Sequence, residues 1–139
     1  MGRGIMRGVA AYLATALAVL GLDLVWLTQV GPRVYFPTLD PVALPSARLA
    51  PAAVFYFAYV LGVIVLAVWP TRDKPLVRTT ATGAMLGALC YATYDLTNQA
   101  TLKVWAKAIT VTDIAWGTLL TAAGATAGGW TLRRLSKAG

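Results

Sequence analysis

No charged residue lies between Arg48 and Arg72, between Arg78 and Asp95, or between Asp113 and Arg133, and Arg7 and Asp23 bracket a further charge-free run. A water-soluble helix or strand carries polar groups along one face, and apolar runs of this length leave no such face. About 20 apolar residues cross the ~30 Å hydrocarbon core of a bilayer. The pattern therefore predicts an all-α polytopic membrane protein, a bundle of four transmembrane helices at about 8–29, 52–69, 77–96 and 112–132. The charge content of 12% agrees, since an ordinary soluble domain has roughly 25%. With 139 residues there is room for one membrane domain over 1–139 and no separate soluble one.

The first run follows Arg3 and Arg7, as the core of a signal peptide would. Its length, the Asp23 and Trp26 that follow it, and the lack of a small-x-small cleavage site predict a retained helix instead. Gly31-Pro32, Pro37, Pro41, Pro45 and Pro51 predict a loop, with Tyr35, Phe36 and Leu39 against the membrane surface. Pro51 suits the first turn of the second helix and Pro70 its end. Phe55, Tyr56, Phe57, Tyr59 and Trp69 suit interfacial aromatic belts, so this helix reads as scaffold. Residues 97–110 read as a polar connection. The pairs Gly83/Gly87 and Gly124/Gly128 let helices approach closely, within the chain or in a homodimer through the third and fourth helices.

Basic residues set the topology. With four spans, Arg3, Arg7, Arg72, Lys74, Arg78, Arg133, Arg134 and Lys137 fall on one side, and Arg33, Arg48, Lys103 and Lys107 on the other. The positive-inside rule then places both termini in the cytoplasm. The net charge of +7 is thereby read as topology and contact with the lipid bilayer rather than as a nucleic-acid surface. Cys90 is the only cysteine and histidine is absent. No disulfide framework, metal cluster or cofactor motif is expected.

Polar chemistry concentrates between Tyr94 and Gly117. In the four-span topology Asp23, Asp95 and Asp113 share one depth at the outer ends of their helices. Helical phase puts Asp113 on the stripe of Gly117, Gly124 and Gly128, Asp95 with Tyr91, and Asp23 near Trp26, all turned inward. The sequences Asp23-Leu-Val-Trp26-Leu-Thr28 and Asp113-Ile-Ala-Trp116-Gly-Thr118 echo each other. The candidate ligand-binding set is Asp23, Trp26, Tyr91, Asp95, Asn98, Gln99, Lys103, Trp105, Asp113 and Trp116, with no metal ligand among them. Carboxylates grouped in low dielectric disfavour joint ionisation, so one of the three is expected to hold a proton. Plainer roles compete: Asp113 as a helix cap, Asp95 paired with Lys103, Asp23 with Arg33 or Lys103, and the tryptophans as interface anchors.

Tyr94-Asp95-Leu96-Thr97-Asn98, Ala100-Thr101-Leu102-Lys103 with Trp105, and Asp113-x-x-Trp116-Gly117 resemble the signature of a bacterial family of small four-helix membrane proteins catalogued as a domain of unknown function. The resemblance takes in nearly the whole chain, including Asp23-x-x-Trp26. It implies an inner-membrane protein and supplies no reaction or catalytic residue.

The expected function is binding or translocation of a cationic or amphipathic small molecule in an outward-facing acidic and aromatic pocket. Two readings compete with it. A membrane enzyme acting on a lipid or isoprenoid would use the carboxylates as acid, base or Mg²⁺ ligands. A structural accessory subunit would use the glycine faces.

Overall fold

The computed structural model describes residues 2–138, which are helical nearly throughout and contain no strand. The helices are α1 (Gly2–Val25), α2 (Gly31–Val34), α3 (Phe36–Leu39), α4 (Leu49–Val63), α5 (Leu76–Thr101) and α6 (Lys107–Lys137). Three segments are long and apolar enough to cross a membrane: Gly2–Val34, Leu49–Thr71 and Lys107–Lys137. The third predicted span, α5, is 26 residues long but falls outside that group. Its last three turns carry Thr93, Asp95, Thr97, Asn98, Gln99 and Thr101.

The prolines act differently from the loop expected over 31–51. Ahead of Pro32 the helix widens into a π-turn over Trp26–Val30, and the Gly31 N–H bonds the Trp26 carbonyl. Proline has no N–H, and its ring collides with the carbonyl four residues back; a wider turn relieves both problems. Pro32, Pro37 and Pro41 then fall in the first turns of α2, α3 and a 3₁₀ turn at Asp40–Val42. Only residues 43–48 between α3 and α4 are irregular. The same device ends the second span, where a π-turn at Ile64–Val68 and a 3₁₀ turn at Trp69–Thr71 lead into and through Pro70.

α6 is the central element, packed along α1 and α5. Glycine makes both contacts close. A Cβ at Gly83 would lie 2.5 Å from Ala125 Cβ, one at Gly87 2.5 Å from Thr121 Oγ1, and one at Gly124 2.6 Å from Val19 Cγ2. The glycine pairs of both predicted helices are thus occupied inside the chain. α1 and α6 run antiparallel, with Gly128 against Ala11 and Thr15, and Gly124 against Thr15 and Val19.

The surface is inverted relative to a soluble protein. Leu17 (75% exposed), Leu119 (65%) and Met85 (62%) face outward, while Thr15, Thr79, Thr121, Asp23, Asp95 and Asp113 are buried. Small and hydroxyl residues suit helix contacts where the surrounding solvent is hydrocarbon. At the end of the molecule that carries both termini, Arg133 closes the structure. Its guanidinium donates to the carbonyls of Thr71 (2.8 Å), Lys74 (2.7 Å) and Gly129 (2.7 Å) and to Thr79 Oγ1 (2.8 Å).

Candidate functional site

The opposite end, distal to the termini, holds the buried carboxylates. α1 delivers Asp23 just before its π-turn, and α6 delivers Asp113 in its second turn. α6 starts at Lys107 rather than near 112, and its N-cap residue, Ala106, offers no side-chain bond. Asp113 is therefore not a cap. Nor do the predicted pairs with Lys103 or Arg33 form. The one ion pair among the described residues is Arg72 with Asp73, at 3.4 Å.

Neutral donors hold both carboxylates. Trp116 Nε1 donates to Asp23 Oδ1 at 3.0 Å, and the Tyr56 hydroxyl donates to Asp23 Oδ2. The Tyr35 hydroxyl donates to Asp113 Oδ1 at 2.5 Å and accepts from Trp26 Nε1 at 2.8 Å. Burial, and then the neighbouring Asp113, raise the Tyr35 phenol above its ordinary range, which keeps it a donor. The indoles of Trp26 and Trp116 stack on each other, with centroids 4.4 Å apart and planes 8° from parallel. Such a pair contributes about 0.5–1.5 kcal/mol beyond its buried area.

The sequence echo thus has a geometric meaning. On antiparallel helices, opposed positions add to a constant, so two Asp-x-x-Trp motifs in register set the Asp of each beside the Trp of the other. Trp116 reaches Asp23 directly, and Trp26 reaches Asp113 through Tyr35. The two halves form a reciprocal clamp, although the chain contains no tandem repeat.

A cavity of about 370 Å³ opens beside this clamp, with Asp23, Tyr35, Tyr91, Tyr94, Trp105, Asp113 and Trp116 in its wall and Leu27, Phe36, Leu39, Ala43 and Ile109 completing it. Its size falls in the range of small-molecule sites. Of the predicted residues, Asp23, Tyr91, Trp105, Asp113 and Trp116 line it, and Trp26 supports it through the stack. Trp105 is held by its own contacts, donating to Thr110 Oγ1 at 3.0 Å and meeting Tyr94 edge-on. Asn98 and Gln99, half-buried in the last turns of α5, and the exposed Lys103 lie outside the wall.

Asp95 also stands apart. It is fully buried, and neither oxygen has a hydrogen-bond partner. It continues the α5 face of Gly83 and Gly87 and lines no part of the cavity. Among the described residues no three Asp or Cys side chains gather closely enough to hold a metal ion.

Two residues that matter here carried no signal in the sequence. Tyr56 looked like one of several belt aromatics on a scaffold helix, and Tyr35 like part of a surface loop. Both became visible only when α4 and the α2–α3 segment were seen packed over the carboxylates.

A family model described as "Predicted membrane protein (DUF2177)" matches residues 8–130. No curated protein and no solved structure matches the chain.

Proposed function

We propose a function from the premise that this chain belongs to the DUF2177 family of predicted membrane proteins: it is a four-span protein of the bacterial cytoplasmic membrane that binds, and by alternating exposure translocates, a cationic amphipathic small molecule. α5 is taken as the fourth span. At 1.5 Å per residue its 26 residues reach about 39 Å, more than a hydrocarbon core. Met85 and Leu89 face outward on it. The hydroxyls of Thr80, Thr82, Thr93, Thr97 and Thr101 bond carbonyls of their own helix, which masks polarity that a composition measure counts in full. With four spans, the distribution of basic residues turns both termini to the cytoplasm and the cavity outward.

The observation that carries the reading is the Asp23–Asp113 pair. Two buried carboxylates on different helices share one cavity wall, and their bonded donors are phenols and an indole. Purely structural buried carboxylates are usually balanced by Lys or Arg. Here the balancing charge is left for a ligand, and Trp105, Trp116, Tyr91 and Tyr94 offer the aromatic faces that attract organic cations.

The test uses tetraphenylphosphonium, an organic cation, titrated into the purified protein in neutral detergent and followed by isothermal calorimetry. Wild type should bind it, and Asp23→Asn and Asp113→Asn should each weaken binding at least tenfold. Lys103→Gln, outside the wall, should leave it unchanged. No binding by wild type, or equal binding by both Asp variants and wild type, would sink the proposal.

A further inference from the structure

Two further cavities open toward the terminal end of the molecule, and neither is lined by the clamp carboxylates. One is a groove of about 580 Å³ between α1 and α4, walled by Ile5, Val9, Tyr12, Phe57, Leu61 and Ile64. The other, of about 400 Å³, lies where the start of α1, the turn after α4 and the end of α6 converge, and Arg7, Arg72, Arg133 and Lys137 contribute to its wall. Trp69 belongs to both walls, so the apolar groove and the basic pocket adjoin at this side chain.

From this juxtaposition we propose that the terminal end is a binding site for one anionic phospholipid, its phosphate among Arg7, Arg72 and Lys137 and one acyl chain in the α1–α4 groove. The charge arithmetic favours an anion. Among the described residues of its wall, four cations face a single carboxylate, Asp73, which Arg72 already pairs at 3.4 Å. Arg133 is immobilised by its bonds to carbonyls and a threonine hydroxyl, which offset no charge, so its positive field is fixed in the pocket wall. Arg72 lies over the Trp69 ring at 5.1 Å. One side chain therefore joins the polar and apolar halves, as the glycerol region of a lipid joins phosphate to chain.

A free phosphate would use only the basic half and a fatty acid mainly the apolar half. A lipid uses both, and basic pockets between spans at the anionic leaflet recognise such headgroups. The groove has an adjustable floor: Gly8 lies in its wall, and a Cβ there meets nothing within 4 Å. A leucine at that position can fill the groove without disturbing the backbone.

Native mass spectrometry of the protein released from neutral detergent, with phosphatidylglycerol and phosphatidylcholine of identical chains at equal concentration, tests this directly. Phosphatidylglycerol should be retained at least fivefold over phosphatidylcholine. Arg7→Gln and Lys137→Gln should each cut its retention about fivefold, the loss expected for one basic residue near an anionic headgroup. Gly8→Leu should reduce retention of both lipids. Chain-free glycerophosphoglycerol in hundredfold excess should not displace the lipid. Far-UV circular dichroism and a single elution peak verify that each variant is folded. Equal retention of the two lipids, insensitivity to both charge variants, no effect of Gly8→Leu, or displacement by the chain-free headgroup would each overturn the assignment. None of these readouts depends on tetraphenylphosphonium binding at the other end.

Discussion

Tyr35→Phe is the sharpest probe of the carboxylate clamp, because it deletes one oxygen and keeps the ring. That oxygen makes two bonds, accepting from Trp26 at 2.8 Å and donating to Asp113 at 2.5 Å. A neutral bond contributes about 0.5–1.5 kcal/mol net, and one to a charged group about 1.5–3. Together they set a range of roughly 2–4.5 kcal/mol. The lower end applies here, because Tyr35 is only half-buried and lines the cavity. Water can enter and bond the indole N–H and the carboxylate that the change leaves behind. The expected loss is therefore about 2 kcal/mol. Tyr94→Phe serves as the control: it removes a hydroxyl from a ring that is 60% exposed and should fall within about 0.5 kcal/mol of wild type. The assay is equilibrium unfolding in mixed micelles with increasing SDS mole fraction, followed by far-UV circular dichroism because tryptophan emission will itself respond to the change. If Tyr35→Phe unfolds together with Tyr94→Phe and wild type, Tyr35 does not bridge the two halves of the clamp.

Other consequences can be checked with the same assay. Gly87→Ala should destabilise by about 1–3 kcal/mol, because its Cβ would overlap the Gly117 carbonyl and Thr121; Gly62→Ala, which meets nothing within 4 Å, should be neutral or stabilising by up to about 1 kcal/mol through helix propensity. The raised Tyr35 phenol contributes stability that is fully present below its unfolded value of 10.0 and is lost as pH rises above it. The gap between wild type and Tyr35→Phe should therefore narrow above pH ~10, and a constant gap to pH 11 would contradict this. Asp95→Val, close to Asp in shape, should stabilise the fold by about 1–3 kcal/mol, since it removes a buried group whose oxygens have no partner; destabilisation would contradict this.

Helix existence was readable because it depends on local facts. The charge-free runs forced long helices, and the prolines and glycines marked where they bend or touch. The boundaries were less readable: α1 starts at Gly2 and continues through a π-turn into α2, and α6 starts at Lys107. A proline announces a missing N–H but does not say whether the chain will stop or widen into a π-turn. α5 is less apolar than the three segments able to cross a membrane, and its threonines bond carbonyls of their own helix, an arrangement that composition does not reveal.

The candidate site divides in the same way. The sequence alone placed Asp23 and Asp113 on inward faces near tryptophans, because helical phase is a property of a single helix. The pairing of the two motifs required the register of α1 on α6, which the glycines of α6 set by where they admit Thr15 and Val19. Only the tertiary structure decided that Tyr35 and Tyr56 would be the donors, that Asp95 would be buried apart from the cavity, and that Lys103 would be exposed outside the cavity wall. Those outcomes depend on how α4 and the α2–α3 segment lie across other helices, and contacts between elements distant in the chain leave no periodicity in either one.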